Sequence, residues 1–78
     1  MKMFPVKSST IASVAHEPRT GLMEVAFKSG QTYRYGRVPE ELFKEMVMSD
    51  SIGSFFHKRI KNNSAHPVTK VEDSGSVG

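Results

Sequence analysis

Residues Gln31-Thr32-Tyr33-Arg34-Tyr35-Gly36-Arg37-Val38-Pro39 leave the chain few architectures to choose from. Tyr33 and Tyr35 are two apart, so in an extended chain their rings leave one face while Thr32, Arg34 and Gly36 leave the other. Aromatic and β-branched residues in this alternation read as a strand. Pro39 ends it: the residue has no N–H for the ladder, and its fixed φ suits the first turn of a helix. The spacing places a sheet before Val38 and a helical half after it.

Upstream, Ile11 to His16 reads as a first strand, with an irregularity, because Ile11 and Val14 cannot otherwise share a face. Glu17-Pro18-Arg19-Thr20-Gly21 is a turn, with proline presetting φ and Gly21 supplying freedom at the far end. Leu22 to Lys28 is a second strand whose Met23, Val25 and Phe27 form one face. A two-residue Ser29-Gly30 turn would pair Phe27 with Thr32 and turn the tyrosines away from Phe27. A three-residue loop at Ser29 to Gln31 pairs Phe27 with Tyr33 and Val25 with Tyr35, and this is the expected register because it gathers the apolar groups. Glu24, Ala26, Lys28, Thr32 and Arg34 are then left on the outer face.

Downstream, Pro39 to Met48 carries Leu42, Phe43, Met46 and Val47 on one helical stripe, and Glu40 and Glu41 suit the positive end of the helix dipole. Ser49-Asp50-Ser51 breaks the pattern, and Asp50 or Ser51 is a candidate N-cap for a second helix. That helix runs from Ile52 to about Lys61, with Ile52, Phe55, Phe56 and Ile60 at helical spacing. His57, Lys58 and Lys61 lie opposite them and Arg59 lies on the flank. The expected fold is α+β, a three-stranded antiparallel β-meander followed by two α-helices packed on one face. Residues 1–7 read as a flexible arm laid over the core, 8–63 as the domain, and 64–78 as an extended or disordered tail, with His66 to Val71 an extended strip on the body.

The absence of cysteine among 78 residues excludes disulfides, thiolate metal sites and thiol catalysis. No apolar run is long enough for a signal peptide or a membrane span, so a soluble cytoplasmic protein is expected. The formal net charge is +3, and all 11 basic residues precede Glu72, which favours an anionic partner. Lys28 and Arg34 share the outer face of the hairpin, Arg37 sits at its end, and the second helix adds Lys58, Arg59 and Lys61. If these groups meet along one edge they make a groove of phosphate-spaced charge; if they face apart, each is an ordinary solvated surface.

Tyr33 and Tyr35 could stack on bases, but the expected register sends their rings into the core. His16, His57 and His66 have no i, i+4 partner, and no metal or cofactor is expected. Ser54 and His57 lack an orienting acid, while the hydroxyls of Ser8-Ser9-Thr10 read as caps, so no catalytic residue emerges and the chain is not expected to be an enzyme. Small size, five methionines and the unpaired edges of a short sheet give an alternative, a module that docks on a larger protein. Oligomeric state has no signature here.

These residues together resemble the KTSC domain, a short module also found at the C-terminus of some lysyl-tRNA synthetases. The resemblance runs from Ser8-Ser9-Thr10-Ile11 through Val14 and Leu22 to Phe27. It continues with Gly30, Tyr33-x-Tyr35 and Val38-Pro39, and closes with Phe43, Ser51-x-Gly53, Phe55-Phe56 and Ile60. It implies an uncharacterised family for which RNA binding follows from the synthetase context, with Tyr33, Tyr35, Pro39, Gly53, Phe55 and Phe56 as structural motif residues. Three places depart from the pattern: Ala15-His16 where glycine and an aromatic are common, Gly36 where another aromatic often follows, and His57 where asparagine is usual. At Gly36 a ring that could stack on a base from the outer face is missing.

Overall fold

The computed structural model describes residues 2–61 and 66–71. Five antiparallel strands form one sheet in chain order: β1 (Phe4–Pro5), β2 (Ile11–Glu17), β3 (Leu22–Phe27), β4 (Thr32–Tyr35) and β5 (Val68–Val71). Between β4 and β5 the chain leaves the sheet for α1 (Glu40–Val47) and α2 (Ile52–Phe56), the latter continued by a π-helical turn (His57–Lys61). The helices cover one face of the sheet, where the Phe56 ring meets Phe27 and Tyr35 edge-on at 5.7 and 5.1 Å. No helix among the described residues is long and apolar enough to cross a membrane.

The sheet is wider than the three strands expected. Its two added strands come from segments assigned to the arm and the tail. β1 is two residues long, pairing Phe4 with Val14 and Pro5 with Ser13, too short to leave a periodicity. β5 pairs Val68 with Tyr35 and Val71 with Thr32, and nothing local marks His66 to Val71 as more than extended chain. The expected helix end at Asn62-Asn63-Ser64 and the tail from Asp73 lie outside the described residues.

In β2 the pairing shifts between Ile11 and Ser13, so Ala12 is an extra residue and Ile11 and Val14 both reach the core, the irregularity their spacing requires. The central hairpin differs from its expected register by two residues: Val25 faces Tyr33 and Met23 faces Tyr35. The loop is Lys28-Ser29-Gly30, closed by Gly30 N–H donating to Phe27 O at 2.9 Å and Phe27 N–H to Gln31 O at 2.8 Å, with Gly30 at φ 103°. Moving the loop back by one residue displaces the pairing by two. A shift of two preserves which side chains share a face, so the tyrosines stay with Val25 and Met23 beneath the helices. Tyr35 is 4 % exposed, and Tyr33 packs edge-on to Phe27 at the rim.

α1 begins immediately after Pro39, with Glu40 and Glu41 in its first turn and Met46 as its fully buried residue. Ile52, Phe56 and Ile60 are all buried, four apart. In a uniform α-helix residues four apart drift by about 40° around the axis. The looser i→i+5 turn at His57–Lys61 takes back that drift and keeps Ile60 over the core.

Candidate nucleic-acid interface

At one end of the sheet the β1–β2 connection meets the start of α2. Ser8 Oγ accepts the backbone N–H groups of Thr10 and Ile11 at 3.2 and 3.1 Å, which folds the hydroxyl run into a tight turn. The turn lies against Gly53, where a Cβ would stand 3.1 Å from Thr10 Oγ1 and 3.5 Å from Ser8 Oγ. The Ser8-to-Thr10 and Ser51-x-Gly53 segments, far apart in the chain, are thus the two walls of one groove of about 670 Å³. Its volume is that of a small-molecule pocket.

Lys7, His57 and Lys58 bring positive or protonatable groups to the groove, Ser8, Ser9 and Thr10 bring hydroxyls, and Asp50 brings its carboxylate. The Arg34–Glu24 pair is the single ion pair among the described residues, so Lys7 and Lys58 are not neutralised by a contact with Asp50. Hydroxyl and ammonium donors converging on one hollow suit a phosphate or another oxyanion. By sequence alone Lys7 and the hydroxyl run have no binding role. The available signal was a lysine followed by three hydroxyls, informative only once Gly53 is known to face them.

The six cations singled out from the sequence do not form one patch. Lys58 lines the groove, and Lys28 is beside it, its N–H donating to Thr10 O at 2.8 Å. Arg59 and Lys61 are exposed on the π-helical turn, with the Arg59 guanidinium 5.3 Å above the Phe55 ring. Arg34 is on the opposite face of the sheet, its Nη2 donating to Glu24 Oε2 at 2.6 Å. Arg37 sits at the other end of β4 from Lys28, beside Gly21, in the left-handed region at φ 56°. Convergence of the strand arginines with the second helix fails because the sheet itself lies between Arg34 and that helix.

Other candidates have structural partners. His16 Nε2 lies 2.6 Å from Val38 O, and its ring stacks on Phe43 at 4.9 Å, fastening the β4–α1 connection to β2. His66 Nδ1 lies 3.3 Å from Gly36 O. A Cβ at Gly36 would be 3.2 Å from Pro67 Cγ, so the place where an aromatic could leave the strand is filled by the approach to β5. Burial raises the pKa of the Tyr35 phenol above its ordinary value, and the neighbouring charge of Tyr33 adds to this. Tyr33 donates its hydroxyl to Gln31 Oε1 at 2.9 Å.

A family model described as KTSC domain matches residues 7–63. An uncharacterized protein of Stutzerimonas stutzeri is 36 % identical over 61 residues, covering 78 % of this chain and 86 % of that one. A segment of a lysine–tRNA ligase from Nostoc sp. is 36 % identical over 55 residues, 70 % of this chain and 10 % of the ligase. The crystal structure of a KTSC domain protein from Yersinia pestis superimposes with a TM-score of 0.82 at 32 % identity, covering 91 % of this chain and 97 % of that one.

Proposed function

We propose that this chain, which belongs to the KTSC domain family, is a non-catalytic module that binds RNA or single-stranded nucleic acid. Its phosphates would be held at the end of the sheet where Lys7 and Lys58 face the Ser8-to-Thr10 hydroxyls. The observation that carries this is the groove, in which lysines without an ion-pair partner share one hollow with hydrogen-bond donors. Lys28 lies beside it, and Arg59 and Lys61 are exposed on the same π-helical turn as Lys58. Arg34, paired with Glu24 on the far face, is outside it. The match within a tRNA ligase supports an RNA context.

Fluorescence anisotropy with labelled single-stranded RNA across a salt series tests this. Four to six phosphate contacts give a slope of log affinity against log salt of roughly −3 to −4. Lys58→Ala makes the slope shallower by roughly 0.7 to 1, whereas Arg34→Ala leaves it unchanged. Absence of saturable, salt-dependent binding refutes the reading. Equal losses from the two variants would refute this placement of the interface.

A second reading, docking on a larger protein, is favoured by β5, which pairs with β4 and presents its other edge unpaired among the described residues. Capture of a specific partner that is lost when Lys70, whose N–H alternates away from β4 toward the free edge, is replaced by proline would support it; capture unaffected by that change would not.

A further inference from the structure

Beside the polar groove lies a second hollow of about 530 Å³, with a different lining. Phe4, Val6, Val14, Phe43 and Val47 make its walls apolar, and Phe4 is 52 % exposed. Lys7, Asp50 and Ile52 line both hollows, so the two adjoin along these residues and make a cleft with a polar and an apolar half. An occupant that fits it has a flat apolar part at one end and an anionic part at the other. Asp50 narrows the choice further. A carboxylate repels phosphate and accepts from hydroxyl or amino groups, so at the junction it favours a hydroxyl-bearing linker between the two parts.

We propose that the cleft holds one unpaired ribonucleotide. Its base lies against Phe4, its phosphate is held by Lys7, Lys58 and the hydroxyl turn, and its 2′-hydroxyl donates to Asp50. This rests on the reading of the protein as a nucleic-acid binder and makes it selective for RNA over DNA. Aromatic stacking supplies sequence-tolerant affinity, and the 2′-hydroxyl is the group that separates the two sugars. Exposure of Phe4 is then a functional property of β1, and the lone acid in a basic groove has a ligand group to accept from.

The test measures anisotropy of labelled oligoriboadenylate and oligodeoxyadenylate with the wild-type chain and with Asp50→Ala, Phe4→Ala and Lys58→Ala, each checked for an unchanged circular dichroism spectrum. The ribose strand is expected to bind about tenfold tighter than the deoxyribose strand. Asp50→Ala, which removes the acceptor, brings the two together, and Phe4→Ala weakens both by roughly five- to hundredfold. Adenosine 5′-monophosphate added to the wild-type chain is expected to shift amide resonances of both Val6 and Lys58, a readout that needs no variant. Equal binding of the two strands by the wild type, with Phe4→Ala without effect and Lys58→Ala weakening both, overturns the ribonucleotide cleft and leaves the basic interface standing. Failure of the wild type to bind either strand overturns both. Resonance shifts confined to the polar half, with inorganic phosphate reproducing them, reduce the cleft to an anion site and also refute the proposal.

Discussion

Tyr35 shows how one position can be half of a family motif and yet belong to the core. Its ring is clamped between Met23 across the strand pair and the edge of Phe56, and its phenol resists ionisation because burial penalises the anion, with the Tyr33 charge adding to that. A phenol whose pKa is raised on folding keeps its proton in the native state after the unfolded chain has lost it. The native state is then relatively disfavoured as pH climbs from the unfolded value near 10 through the folded value. Stability is expected to be flat across neutral pH with respect to this group and to fall above pH of about 10. Tyr35→Phe should reduce that alkaline loss, as read from urea unfolding at a series of pH values. An unchanged alkaline slope in the variant would count against the assignment. Asp50 and Gly53 are the other residues whose meaning depends on position: one is the acid in a basic cleft, and the other is where a Cβ would press to within 3.1 Å of the Thr10 hydroxyl.

Among the elements, β5 is the one most dependent on the rest of the molecule. Pro67 leads into it over Gly36, with Gly36 N–H donating to Pro67 O at 2.8 Å, and its own residues are largely exposed. Gly36→Tyr puts back the aromatic common in the family, yet here it would place a side chain 3.2 Å from a proline ring that cannot rotate away. The expected result is local release of β5. Amide exchange at Val68 to Val71 should quicken by at least tenfold while β2 and β3 stay protected, the pattern of sub-global opening. Uniform loss of protection across all strands would show instead that β5 opens only with the whole fold. β1 is managed differently: two residues long and carrying Pro5, it presents too little edge to recruit another strand.

At the scale of the whole molecule, a domain of this size has stability of only about 4 to 12 kcal/mol, and its apolar contacts converge on one core. Met46 is the single fully buried residue of α1 and is packed with the sheet residues Met23 and Val25 in one cluster. Met46→Ala is expected to cost about 2 to 5 kcal/mol and to lower Tm by at least about 8 °C, since roughly 4 to 8 °C accompanies each kcal/mol in a domain this small. A loss below about 1 kcal/mol would mean that α1 is held by its rim contacts, such as Phe43 on His16, rather than by its buried stripe. Charge is also distributed at this scale. The sheet separates Arg34 from the helical cations, so the molecule has a polar far face with an ion pair and a basic end.

Much of this could be read from neighbours along the chain. Tyr33 and Tyr35 share a face with Val25 because side chains alternate, and Leu42, Phe43 and Met46 point inward because a helix repeats every 3.6 residues; both periods are local. The bulge at Ala12 follows from the spacing of Ile11 and Val14, and the helix start follows from Pro39. Hairpin register was legible only to within an even number of residues, since parity is all that the apolar pattern specifies and the loop conformation at Gly30 supplies the remainder. The outer strands and the cleft were not legible. β5 exists because Pro67 returns over Gly36, and the cleft exists because residues 4–10 fold back against residues 50–58. Such meetings depend on the path of the entire chain, and segments that touch only in three dimensions leave no period in the order of their residues.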